Sequence, residues 1–261
     1  MVSKPKITIV KIGGNVIDDA KALSEVLLAF SNIDGPKILV HGGGKEASKL
    51  AEKLGLTPQM IDGRRITDAS MLDVVVMTYA GLLNKKIVAQ LNTFGTTAIG
   101  FTGADGNLIL SEKRKKDTVD FGFAGDIVSV NHQLLKTLLE NDILPVCCAI
   151  THDGNGQLLN TNADTIAGEI AIALTPYYDV ELCYCFEKNG VLMNSEDDAS
   201  VIAILTGEKY DDLSKTGSIH SGMIPKLNNC FEALEKGVKK VVISHHSFIG
   251  NKNSIHTIIQ L

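Results

Sequence analysis

The sequence predicts a three-layer α/β/α sandwich around a mainly parallel sheet. Three observations carry this prediction: short apolar runs rich in β-branched residues and without strict alternation, stretches of helical spacing between them, and a regular succession of the two. A strand covered on both faces reads as a continuous apolar run, because neither face meets water.

The elements can be placed in chain order. Ile7–Ile12 reads as the first strand and Ala20–Phe30 as the helix after it. A second strand, Lys37–Val40, passes through three glycines into helical spacing over Glu46–Leu54. One long helical pattern covers Met71–Leu91, followed by a strand at Thr97–Phe101. Asn107–Lys116 and Thr118–Val130 break the rhythm, and Phe121-Gly122-Phe123-Ala124-Gly125-Asp126 reads as hairpin material, which predicts antiparallel additions. The alternation resumes with a helix at Gln133–Glu140, a strand at Ile143–Cys148, a helix at Ala163–Leu174, a strand at Val180–Phe186, a helix at Pro225–Lys236 and a strand at Val241–Ser244. Asn194–Asp198 and Tyr210–Ser218 are polar and read as loops near an entrance. No Pro/Gly linker divides the chain, so 1–261 reads as a single domain whose two lobes, about 1–142 and 143–261, share one sheet.

Composition narrows the classes of function. The chain has 261 residues, 44% of them hydrophobic, enough for one large core. Its net charge is −5 and its basic residues are dispersed apart from Lys113–Lys116, which argues against nucleic acid as a partner. The first residues run straight into a short strand, and no apolar run approaches a membrane span, so a cytoplasmic location and no membrane partner are expected. Five cysteines form no C-x-x-C pair; Cys183 and Cys185 share one strand face and read as buried thiols, and no metal site is expected. The seven histidines show no H-E-x-x-H spacing, and no G-x-S-x-G elbow occurs.

Four segments could carry chemistry. Lys11 leaves the first strand beside Gly13 and Gly14, which would set an ammonium next to exposed backbone N–H groups, or simply be a surface lysine at a tight turn. His41-Gly42-Gly43-Gly44 opens a helix, where main chain can approach an anion and the helix dipole favours it. Gly42-x-Gly44-x-x-Ala47 also satisfies a loose dinucleotide fingerprint, but the acid that should end a strand about twenty residues on is missing. Arg64-Arg65 offers a guanidinium suited to a carboxylate, one binding and one structural. Asn160-Thr161-Asn162-Ala163-Asp164 precedes a helix; Asn162 can cap it, and Asp164 can hold Lys11 and Lys226 by charge.

Taken together, Lys11-x-Gly13-Gly14, His41-Gly42-Gly43-Gly44, Gly63-Arg64-Arg65-Ile66-Thr67, Thr102-Gly103-Ala104-Asp105-Gly106-Asn107, Asn160-x-Asn162-Ala163-Asp164 and Gly222-Met223-Ile224-Pro225-Lys226 resemble the amino acid kinase family over essentially the whole chain. The resemblance implies that family's fold, and transfer of the γ-phosphoryl group of ATP, with Mg2+ carried by the nucleotide, to an N-acylated glutamate. The γ-carboxylate of N-acetyl-L-glutamate, in arginine biosynthesis, is the implied acceptor; N-succinyl-L-glutamate, carbamate and glutamate are the alternatives. It further implies that Lys11 and Lys226 stabilise the transferring phosphoryl group and that Asp164 orients both. Gly43, Gly44, Arg65 and Asn160 would bind the acylated amino acid, and Gly13, Gly14, Gly190, Leu192 and Met223 the nucleotide.

Two departures accompany the resemblance. Phe186-Glu187-Lys188-Asn189-Gly190 stands where relatives usually carry a Ser/Thr-Asp-Val-x-Gly turn, and His256-Thr257-Ile258 replaces a Gly-Thr pair. The extra amino-terminal helix of arginine-inhibited hexameric relatives is missing, so a homodimer without arginine feedback is the expectation.

Overall fold

The computed structural model describes residues 3–61, 63–116, 118–194, 196–216, 219 and 223–261. Eight strands form its main sheet, in the spatial order β12 (Ile204–Thr206), β14 (His256–Gln260), β13 (Lys240–His245), β11 (Asp179–Phe186), β1 (Lys6–Ile12), β2 (Lys37–His41), β8 (Ile143–Cys148) and β5 (Thr97–Phe101). Neighbours from β13 to β5 run parallel; β14 pairs antiparallel with β13 and parallel with β12. The six strands expected from apolar runs are all in this sheet.

Alternate side chains of these strands feed two cores. Ile7, Ile9, Ile38, Val40, Leu182 and Tyr184 pack on one face with α3 (Gly44–Lys53), α4 (Ala69–Val76), α6 (His132–Glu140), α7 (Ala163–Leu174) and α9 (Ile224–Glu235). Val10, Ile12, Leu39, Val146, Cys183, Cys185 and Val242 face α1 (Gly14–Asp18), α2 (Ala20–Ser31) and α5 (Asn84–Thr93). Burial on both sides explains the unalternating apolar runs, and all five cysteines are free and buried.

A smaller sheet, ordered β10 (Leu158–Asn160), β9 (Ile150–His152), β6 (Ile109–Lys113) and β7 (Gly125–Val130), carries the expected antiparallel pair β6–β7. The short hairpin β3 (Met60–Ile61) and β4 (Arg64–Arg65) lies between α3 and α4.

The structure corrects two expectations and adds two edge strands. The long helix over Met71–Leu91 is α4 and α5 joined by a π-helical turn, Met77–Leu83. The polar segment after Tyr210 is not a loop but lies largely within α8 (Gly207–Lys215), whose Thr206 cap accepts from Lys209 N at 3.3 Å. None of its residues is fully buried, so no apolar stripe betrays it. The edge strands β12 and β14 are short and partly exposed, which hid them for the same reason.

Candidate active site

Strand β1 lies where the connections reverse: the chain leaves it toward β2 on one side and returns to β11 on the other. Carboxyl ends of parallel strands diverge at such a point and open a crevice. Lys11 sits there, level with Val40 and Tyr184. Two cavities meet at this crevice, of about 610 and 210 Å3, and Lys11, Gly14 and Gly44 line both.

The shared wall is electrostatic. Lys11 Nζ stands 2.6 Å from Asp164 Oδ1, both side chains more than nine-tenths buried. Asp164 is fixed from three directions. Asn162 caps α7, its Oδ1 accepting from the N–H groups of Asp164 and Thr165 at 2.7 and 3.2 Å, and the Tyr184 hydroxyl donates to the Asp164 carbonyl at 3.0 Å. Lys226, in the first turn of α9 just after Pro225, rests its ammonium 3.9 Å from the centroid of the Phe186 ring, and Lys11 lies 5.4 Å from the same ring. Burial lowers the proton affinity of Lys226; the Asp164 carboxylate opposes this and the Lys11 ammonium reinforces it.

The smaller cavity is built around the glycine turn. Gly43 has φ 156°, and a Cβ there would lie 2.4 Å from Leu83 Cδ1 and 2.9 Å from Tyr79 Cδ1, so the turn packs against the π-helical segment with no room for a side chain. Gly42 and Gly44 are not so confined, their nearest contacts being 3.7 and 3.9 Å. Arg65 is buried, donating from Nη2 to the Gly44 carbonyl and to Ser48 Oγ, each at 2.8 Å; Arg64 is exposed on the same wall. Asn160 Nδ2 donates to Thr67 Oγ1 at 2.9 Å, which fixes its amide at the cavity wall.

Beneath the turn, buried His41 lies between the Gly42 carbonyl, 2.8 Å from Nδ1, and Asn84 Nδ2, 3.1 Å from Nε2. Asn84 also donates to the Val146 carbonyl at 2.9 Å. Burial pushes His41 down to about 4, so it is neutral, with the proton on Nδ1 and Nε2 accepting.

The larger cavity gathers Gly13, Gly14, Gly190, Leu192 and Met223 with Val191, Ile219 and Phe186. A Cβ on Gly190 would meet Thr257 Oγ1 at 2.4 Å. That hydroxyl accepts from Val191 N at 2.8 Å and donates to the Ile202 carbonyl at 2.7 Å, so Thr257 of the divergent tail segment braces the cavity wall. Gly222 and Asp62 lie outside the described residues.

Sequence reasoning overlooked several of these side chains. Phe186 stood only as a departure from a motif, though an aromatic ring beside two lysines has an evident use. Arg114, clamped by Asp126 through Nε at 3.0 and 3.1 Å, lines the smaller cavity, yet reads in sequence as part of a basic surface run. The His41–Asn84 contact joins residues 43 positions apart and leaves no local signal.

Two cavities therefore meet at a buried lysine–aspartate pair, at the carboxyl end of a mainly parallel sheet. The chain belongs to the amino acid kinase family, whose model matches residues 6–245. It is 52% identical over 246 residues to the acetylglutamate kinase of Phocaeicola vulgatus, an alignment covering 94% of this chain and 96% of the relative. To the acetylglutamate kinase of Methanopyrus kandleri it is 37% identical, over 91% and 94% of the two chains. The carbamate kinase of Giardia shares the fold, with a TM-score of 0.70 at 16% identity, over 98% of this chain and 99% of that one.

Proposed function

We propose that this chain uses ATP to phosphorylate the γ-carboxylate of N-acetyl-L-glutamate, a step of arginine biosynthesis. The observation that carries this is the shared wall: Lys11, Gly14 and Gly44 line both cavities, so a donor in the larger one and an acceptor in the smaller would meet beside them. Identity of 52% to an acetylglutamate kinase over 94% of the chain supports the choice of acceptor.

The chemistry suits such residues. A γ-carboxylate is already ionised at neutral pH, so the acceptor needs no general base. The barrier is the approach of two anions and the spreading of charge over the transferring group, which positioned cations lower. In this reading Lys11 and Lys226 reach that group from two sides, and Asp164 holds Lys11 against recoil. Phe186 supports both ammonium groups through its ring while leaving their N–H bonds for phosphoryl oxygens. Gly14 and the Gly43–Gly44 turn offer backbone N–H groups, Arg65 takes the α-carboxylate, and Asn160 takes the acylamide. Gly13, Gly190, Leu192 and Met223 receive the nucleotide.

In the same reading Mg2+ arrives on the phosphates of ATP with most of its water. Bound there, it would neutralise phosphate charge. A homodimer and a cytoplasmic location belong to the same proposal. Light scattering should give about twice the chain mass of 28.0 kDa. Among the described residues no helix is long and apolar enough to cross a membrane.

The test is ADP release from ATP and Mg2+ with N-acetyl-L-glutamate, N-succinyl-L-glutamate, carbamate and free glutamate in parallel. Highest kcat/KM with the acetylated compound is expected. Turnover confined to carbamate or free glutamate, or none at all, would refute the proposal.

A further inference from the structure

Lys45 has no part in the reading above, yet its side chain lies on the rim of the nucleotide cavity. It is the second residue of α3, directly after the glycine turn, and its stem crosses Gly14, where a Cβ would stand 3.9 Å from Lys45 Cγ. Its ammonium contacts the side-chain oxygen of Asn15 and lies 3.9 Å from Asp18 Oδ2, beyond hydrogen-bond reach. The amide nitrogen of the same Asn15 donates to the Glu187 carboxylate across the cleft. A polar chain Glu187–Asn15–Lys45–Asp18 therefore spans the cavity rim.

This arrangement does little for folding. The Lys45 side chain is 61% exposed, its hydrogen-bond partner is a neutral amide, and exposed ion pairs contribute little to stability. It does set a cation beside Gly14, which lines both cavities. Lys11 and Lys226 occupy the interior of the larger cavity, against Phe186, whereas Lys45 approaches from the open side.

We propose that Lys45 is a third phosphate-binding cation of this site, its ammonium leaving Asn15 and Asp18 for the β- and γ-phosphates of the incoming nucleotide. A charged phosphate oxygen is a stronger acceptor than an amide oxygen, so the exchange is favourable once the nucleotide is present. Asn15 keeps its other contact and draws the Glu187 carboxylate aside, away from the polyphosphate. The inference rests on the larger cavity holding ATP, and is independent of which acyl group the acceptor carries.

The test is calorimetric titration of wild type, Lys45→Met and Lys45→Arg with Mg·AMP-PNP and, separately, with AMP. Methionine keeps the stem over Gly14 and removes the charge. Lys45→Met should bind AMP-PNP about tenfold more weakly, as expected for one lost charge-assisted contact, with AMP affinity unchanged within about twofold. Lys45→Arg should retain most of the affinity, and KM for ATP should rise in Lys45→Met while KM for the acylated acceptor stays constant. Equal AMP-PNP affinity in wild type and Lys45→Met, or equal weakening of AMP and AMP-PNP, overturns the role of Lys45 alone. A wild-type chain that binds no AMP-PNP overturns the nucleotide reading as well.

Discussion

Lys11 and Lys226 carry the same charge toward the same point, but their surroundings differ enough to separate their variants. Lys11 is half of a buried ion pair, so Lys11→Ala strands the Asp164 carboxylate in the interior. Such a loss costs about 3–5 kcal/mol of stability, which would appear as a large fall in Tm beside any fall in rate. The Lys226 ammonium rests on the Phe186 face, so Lys226→Ala leaves no charge newly buried without its partner in contact. Its effect should fall on kcat, by about 100-fold or more, with KM for the acceptor and the melting curve nearly unchanged, because the role proposed for it lies in the transition state. Arg65→Ala should show the reverse kinetic pattern, raising KM for the acceptor most, since the carboxylate clamp proposed for it would act in ground and transition state alike. Steady-state kinetics and thermal melts of the three variants check this, and an unchanged kcat in Lys226→Ala would remove that residue from the reaction.

Elements position these residues, and here the sequence was readable in some parts and silent in others. The three-layer order and the six buried strands were legible because apolar period follows burial. The α7 start was legible because Asn162 has the side chain of a cap, and the glycine turn because only glycine fits where main chain is crowded. The reason for that crowding was not legible. It comes from the π-helical turn at Met77–Leu83, which keeps apolar residues at helical spacing on both sides and so leaves no break in periodicity. This turn presses Tyr79 and Leu83 against Gly43 and delivers Asn84, at its carboxyl end, to His41 and the Val146 carbonyl. Asn84→Ala should therefore cost about 2–3 kcal/mol, since both partners stay buried without their donor. It should also raise KM for the acceptor, because His41 no longer braces the turn. Urea denaturation with parallel kinetics would show this; full stability in Asn84→Ala would mean the contact is incidental.

At the scale of the whole molecule, one continuous sheet carries both cavities, and β1 belongs equally to each: its Lys11 end is hydrogen-bonded into β2 on the side of the smaller cavity and β11 on the side of the larger. The two cores contact opposite faces of the same strands, so neither half can lose its packing without exposing apolar surface of the other. This predicts one cooperative thermal transition, with calorimetric and van't Hoff enthalpies equal, despite a length at which two folding units are common. Ligand linkage gives a second reading of the same coupling. A nucleotide at about 100 times its Kd adds about 2.7 kcal/mol to the folded state and should raise the single Tm by about 5–10 °C, moving all probes of structure together. Differential scanning calorimetry with and without ADP makes the measurement. Two transitions, with only one shifted by ADP, would mean that the halves on either side of β1 melt independently and that the shared strand does not couple them.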